Sequence, residues 1–134
     1  MKTRFGFLII CSFLAIVACE KEDNTGSLPK KRDTDTLKLR VKNNSFIQLD
    51  SFYVNTSGGE ANFGSIASNN YSDYEIFDYS YSYFYMNFKV HDHDYTLQPI
   101  DYVGETKIDT AWYTVRISEV DTIRKTFNYN LIKD

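Results

Sequence analysis

Two histidines alternate with two aspartates in the run His91-Asp92-His93-Asp94. If this run were a strand, both imidazoles would lie on one face, because side chains two residues apart in a strand point the same way. Two imidazoles and a carboxylate are ligands that zinc and copper accept. The run also separates two apolar segments, and polar residues in that position are typical of a hairpin turn. Because the sequence places no further ligand near His91 and His93, we expect no cofactor and no resident metal.

Nucleophilic and acid–base catalysis have no recognisable residue pattern in this chain. Both cysteines, Cys11 and Cys19, lie in the first twenty residues, and the sequence contains no Gly-x-Ser-x-Gly elbow. Asp101 and Glu105 qualify for a carboxylate pair only because they are acidic. We therefore expect a protein that is not an enzyme. The alternative is a small metal-dependent accessory enzyme or metal-binding protein that uses His91 and His93.

Four tyrosines occupy alternate positions of the longest apolar run, Tyr79 to Val90. In a strand they would share one face, opposite a core-facing set, and they are a candidate binding face: Tyr79, Tyr81, Tyr83 and Tyr85, against Phe84, Met86, Phe88 and Val90. Exposed, such a row would suit a glycan or a protein, because each ring offers contact area and a polar tip. Covered by neighbouring strands, the same rings would be ordinary cross-strand pairs. The sequence leaves both interpretations open.

Three Asp-Thr-apolar triplets resemble the acceptor sequence of bacterial surface O-glycosylation. They are Asp35-Thr36-Leu37, Asp109-Thr110-Ala111 and Asp121-Thr122-Ile123. Such a short motif carries a substantial rate of chance matches. Thr36 and Thr122 are the better candidates, because both lie at the edges of predicted strands.

The N-terminus has the pattern of an export signal. Lys2 and Arg4 precede a short apolar stretch, Phe5 to Val17, which falls below the length of about 20 residues that a membrane-spanning helix needs. The run Ile16-Val17-Ala18-Cys19 that follows resembles the lipobox of bacterial lipoproteins. That resemblance implies a signal peptide over residues 1–18 and fatty acylation of Cys19, which would anchor the chain in a membrane.

Residues 19–35 predict a flexible tether between the lipid and the domain, because charged and polar side chains dominate them. Lys21-Glu22-Asp23 resembles the surface-export signal of Gram-negative lipoproteins, although it also fits a solvated acidic tether. Lys30-Lys31-Arg32 suits either contact with anionic headgroups or plain solvation. We expect an outer-membrane protein that is lipid-anchored and exposed at the cell surface.

Composition limits the classes of partner and of fold that this chain could have. The 134 residues carry 15 basic and 18 acidic side chains, a formal net charge of −3, which excludes binding of nucleic acid through bulk basic charge. Apolar residues make up 43% and aromatic residues 16%, as in a folded domain. The expected partners are the membrane, through the lipid, and a protein or glycan at the cell surface.

Residues 36–134 read as one all-β domain. Leu37, Leu39 and Val41 alternate with Lys38, Arg40 and Lys42, which predicts a half-buried strand. Alternation slips near Asp50-Ser51, which indicates a bulge or a loop. Further strands are predicted at 52–54, 61–66, 74–76, 79–90, 95–100, 111–120 and 125–132. Seven or eight short strands with regular turns predict an antiparallel, immunoglobulin-like β-sandwich.

Asp109 to Val115 resembles the corner that leads into the sixth strand of immunoglobulin-type domains. Tyr113 matches the tyrosine whose hydroxyl bonds back to the backbone, and Val115 matches the second disulfide cysteine. Trp112 is expected on the opposite face of the strand. The resemblance covers seven residues and implies a fold rather than an activity.

Taken whole, the chain resembles small immunoglobulin-like surface lipoproteins of uncharacterised function from Gram-negative bacteria. The features that carry the resemblance are the lipobox, the turn Ser57-Gly58-Gly59, the tyrosine-rich strand and the run from Tyr95 to Glu105. It implies no particular activity.

Overall fold

The computed structural model describes residues 36–100 and 105–134. The predicted signal peptide, Cys19, the tether and Asp101 lie outside the described residues. No helix that is long and apolar enough to span a membrane occurs within the described ranges. The strands there are β1 (Leu37–Asn43), β2 (Leu49–Asn55), β3 (Glu60–Ile66), β4 (Glu75–Phe77), β5 (Tyr85–Val90), β6 (His93–Leu97), β7 (Trp112–Asp121) and β8 (Thr126–Lys133).

The eight strands form two sheets of four, in the orders β4-β1-β7-β8 and β3-β2-β5-β6. Strand pairs are antiparallel except β1 and β7, which run parallel with Leu39 opposite Tyr113. The expectation of a wholly antiparallel fold is therefore wrong at one pairing. Two strands joined by a tight hairpin must be antiparallel. No hairpin joins β1 to β7, because most of the domain lies between them in the chain, so this pair is free to run parallel.

One hydrophobic core joins the inward faces of both sheets, which gives a β-sandwich-like fold. Phe88 of β5 stacks between Phe52 and Tyr95, at ring-centroid distances of 5.2 and 5.3 Å. Its edge meets Phe127 of β8, in the other sheet, at 4.8 Å. The further core residues with essentially no exposure include Leu37, Leu39, Val41, Leu49, Val54, Met86, Val90, Val115 and Ile117.

The alternation predicted for the first strand is confirmed, since buried and half-buried residues alternate along all of β1. The interruption predicted near Asp50-Ser51 is also confirmed, and it is a bulge within β2 rather than a loop. The register of β2 shifts there against both neighbouring strands, and Ser51 has a φ of 51°. Alternation read from the sequence thus located both a regular strand and its interruption.

The predicted strand from Tyr79 to Val90 is too long, because β5 begins only at Tyr85. The Thr56 hydroxyl donates to the Tyr79 carbonyl at 3.0 Å, and the Asp78 amide donates to the Gly58 carbonyl at 2.9 Å. These bonds tie the start of the run to the β2–β3 turn. Residues 78–84 therefore form a connection from β4 to β5 rather than part of a strand.

Tyr113 is buried as expected, but its hydroxyl donates to the Asp109 carboxylate rather than to the backbone. The same carboxylate accepts from Lys133. Burial, with the adjacent Asp109, raises the pKa of Tyr113 to about 12. Trp112 lies on the outer face, as alternation predicted. The Tyr113 hydroxyl thus has a side-chain acceptor, and the Asp109 carboxylate links the start of β7 to the end of β8.

Replacing Tyr113 by phenylalanine is expected to lower the free energy of unfolding by about 1 kcal/mol at neutral pH. The loss is modest because Asp109 keeps Lys133 as a partner. The raised pKa means that folding favours the neutral phenol, so its contribution is complete below pH 10 and is lost as pH rises through about 12. Urea titrations between pH 8 and 12 check this. A Tyr113→Phe variant that loses the same stability in that window would contradict the account.

Candidate functional site

The four tyrosines of the predicted binding face are all half-buried, but they do not form one row. Tyr79 and Tyr81 pack edge to face at 6.1 Å, and the Lys107 ammonium lies 4.7 Å from the Tyr79 ring centroid. Tyr83 and Tyr85 instead line a pocket at the start of β5. The predicted stripe is therefore wrong, because only Tyr85 belongs to the strand.

The pocket has a volume of about 340 Å³ and lies at one end of the β3-β2-β5-β6 sheet. Strand β2 contributes Tyr53 and Asn55, and Asn55 is the register partner of Tyr85. The remaining lining residues come from the segments just after β2, before β5 and after β6: Ser57, Tyr83, Phe84, Gln98 and Pro99. Three phenol rings, two carboxamides and one hydroxyl thus converge on one concave surface.

Two of these rings are held in place by their neighbours. Tyr53 and Tyr85 meet edge to face at 6.0 Å. The Tyr53 hydroxyl donates to the Glu60 carboxylate at 2.5 Å, and this bond is the main reason that the pKa of Tyr53 is raised. Asn55 accepts from the Ser57 amide at 3.0 Å through its side-chain oxygen. The pocket wall on the β2 side is therefore preorganised.

Such a lining suits an uncharged, hydroxyl-rich ligand. Aromatic faces pack against the C–H surface of a sugar ring, and carboxamides and phenol hydroxyls exchange hydrogen bonds with its hydroxyl groups. The volume is at the lower end for small-molecule sites, which matches one or two sugar rings.

Sequence reasoning missed Tyr53 and Asn55 as site residues. A signal was present for Tyr53, which is an outward position of the strand predicted at 52–54, whereas Asn55 lies just beyond that predicted strand. Their meeting with Tyr85 depends on the β2–β5 pairing, which the sequence does not specify.

His91 and His93 do not occupy alternate positions of one strand. His91 and Asp92 form the two-residue β5–β6 turn, with φ angles of 48° and 65°, and His93 begins β6 opposite Val90. The hairpin turn expected between the two apolar segments is therefore confirmed, and the alternative arrangement, with both imidazoles on one strand face, does not occur. No group of three or more His, Cys, Asp or Glu side chains that could hold a metal ion forms within residues 36–100 and 105–134.

The two candidate O-glycosylation residues lie at the edges of strands. Thr36 directly precedes β1 and is half-buried, whereas Thr122 is exposed in the β7–β8 turn. The Asp121 carboxylate accepts from the amides of Ile123 and Arg124, each at 2.9 Å, and so fixes that turn. Modification of Thr36 and Thr122 stays a prediction.

Comparison with known proteins gives a fold and no family. No protein-family model matches the chain, and no curated protein matches it. Among solved structures, the chain is similar to the NMR structure of a protein from Eubacterium rectale, with a TM-score of 0.52 and 11% sequence identity. The match covers 78% of this chain and 93% of that chain. At this identity the likeness shows the fold alone.

Proposed function

We propose that this chain is a lipid-anchored, non-catalytic binding module of the bacterial cell envelope, and that it holds an uncharged saccharide in the pocket around Tyr53, Tyr83 and Tyr85. The single observation that carries the proposal is the convergence of three phenol rings and two carboxamides on one concave surface. The accessible surface of this pocket is mainly polar, as a hydroxyl-rich ligand requires.

The cellular setting of the proposal depends on the N-terminal sequence. The resemblance of residues 16–19 to a lipobox supports anchoring through Cys19, and Lys21-Glu22-Asp23 supports exposure at the outer-membrane surface. A module at that location would meet extracellular glycans directly. An immunoglobulin-like classification of the domain is also part of the proposal, supported by the buried position of Tyr113 near the start of β7.

An array of uncharged oligosaccharides, probed with the full-length protein in detergent, tests the pocket. Tyr85→Ala is expected to weaken binding by about tenfold or more, as removal of an anchoring aromatic does, while Tyr85→Phe keeps the ring and most of the affinity. Tyr71→Ala is the matched control, because Tyr71 is exposed near the other sheet. Equal binding by Tyr85→Ala and the parent, or no binding by the parent, would contradict the proposal.

A further inference from the structure

The outer face of the β4-β1-β7-β8 sheet concentrates positive charge in a chain whose acidic residues outnumber its basic ones. Lys38, Arg40 and Lys42 project from alternate positions of β1, about 6.6 Å apart along the strand. Arg116 of β7 lies beside them. These four residues are called the cationic face below.

Lys42 and Arg116 are direct register partners in the parallel β1–β7 pair. Like charges placed directly opposite each other destabilise a sheet, so this pair has a cost within the fold. The Nε of Arg116 is buried and has no hydrogen-bond partner among the described residues. An anion that bridged the exposed ends of the two side chains would offset the repulsion between them.

Aromatic rings hold the cations of this face against the sheet. Trp112 lies under Lys38, whose Nζ is 4.4 Å from its ring centroid. Tyr71 lies under both Arg40 and Lys42, at 4.4 and 4.2 Å. Cations restrained in this way lose less conformational entropy when they bind a ligand.

Asp134 pairs with Arg40, one of the four cations of this face. Its carboxylate lies 3.5 Å from Arg40 and accepts from the Thr114 hydroxyl. It therefore compensates the charge at Arg40, and the electrostatic attraction for an added anion is centred on Lys42 and Arg116.

We propose that the cationic face binds an acidic polysaccharide. A carboxylate or sulfate group offers the planar or tetrahedral oxygen acceptors that a guanidinium prefers. A nucleic-acid strand would need open ring faces on which bases stack, and here cations lie over the rings of Tyr71 and Trp112. The proposal is independent of the tyrosine pocket, which lies on the other sheet.

Trp112 supplies a local signal for the test, because it is the single tryptophan of the chain and is 42% exposed on this face. The probe is dextran sulfate, with uncharged dextran as its matched counterpart, titrated into the full-length protein in detergent. Dextran sulfate is expected to change the emission of Trp112 in a salt-dependent manner, and dextran is expected to leave it unchanged.

The double variant Lys42→Gln/Arg116→Gln is expected to weaken binding of dextran sulfate by about tenfold or more, because two charge-assisted contacts are lost. The double variant removes two like charges from paired positions, so we expect the fold to be retained, which thermal unfolding verifies. The matched control is Arg124→Gln/Lys125→Gln, which removes two positive charges from the exposed β7–β8 turn. We expect that control to bind nearly as well as the parent.

Three results would overturn the proposal. The first is equal weakening in both double variants, which would show attraction to net charge alone. The second is no change in Trp112 emission with dextran sulfate. The third is tighter binding of a thymidine oligonucleotide of equal total charge, which would assign the face to nucleic acid.

Discussion

Replacing Phe88 by alanine is expected to lower the free energy of unfolding by about 3–5 kcal/mol, the range found for large-to-small substitutions of buried aromatics. Phe88 is fully buried and stacks between Phe52 and Tyr95. It also meets Phe127 of the opposite sheet. The substitution would therefore leave a cavity between the two sheets, at a point where both depend on the same ring.

Urea denaturation followed by circular dichroism measures this loss. The control is Phe46→Ala, because Phe46 is 94% exposed and its loss is expected to change stability by less than about 0.5 kcal/mol. If Phe88→Ala cost no more than Phe46→Ala, the packing of the two sheets against one another would be contradicted.

Replacing Gly58 by alanine is expected to cost about 3 kcal/mol, at the upper end for overpacking. A Cβ at this position would lie 2.2 Å from the carbonyl oxygen of Tyr79 and 2.5 Å from its nitrogen. Both are backbone atoms, so the connection from β4 to β5 would have to move. Because that connection carries Tyr83 to the pocket, the same variant is also expected to weaken saccharide binding.

Gly64→Ala is the matched control for Gly58→Ala. An added Cβ at Gly64 meets nothing within 4 Å, although its φ of 70° makes the left-handed conformation unfavourable by about 1 kcal/mol. A larger loss at Gly64 than at Gly58, by the same denaturation assay, would contradict the close approach of the β2–β3 turn to Tyr79.

Local alternation predicted the strands whose two faces differ in chemistry. The core and solvent faces of β1 follow directly from Leu37, Leu39 and Val41, and the bulge at Ser51 follows from the break in the pattern. The tyrosine run led to a wrong strand boundary because Tyr and Ser alternate through residues 79–83, as they would in a strand. There the backbone is held by Thr56 and by the turn at Gly58. Those tertiary hydrogen bonds have no local sequence signal.

Both candidate sites depend on strand pairing, which single-sequence patterns do not specify. The pocket requires Asn55 opposite Tyr85, and the cationic face requires Lys42 opposite Arg116. In the sequence, Lys42 is an ordinary solvent-facing residue of an alternating strand. Its significance arises only from the parallel β1–β7 pair, whose members are separated by most of the domain.

Tyrosine-ring NMR tests the central claim, that the pocket around Tyr85 is the saccharide-binding site, most directly. Selective ring labelling gives signals for the eleven tyrosines, which are assigned by single substitutions and followed while the oligosaccharide selected on the array is added. We predict that the signals of Tyr53, Tyr83 and Tyr85 move together with one saturation curve, while those of Tyr71 and Tyr113 stay in place. Shifts confined to Tyr71, or no shift at the three pocket tyrosines at saturation, would contradict the account.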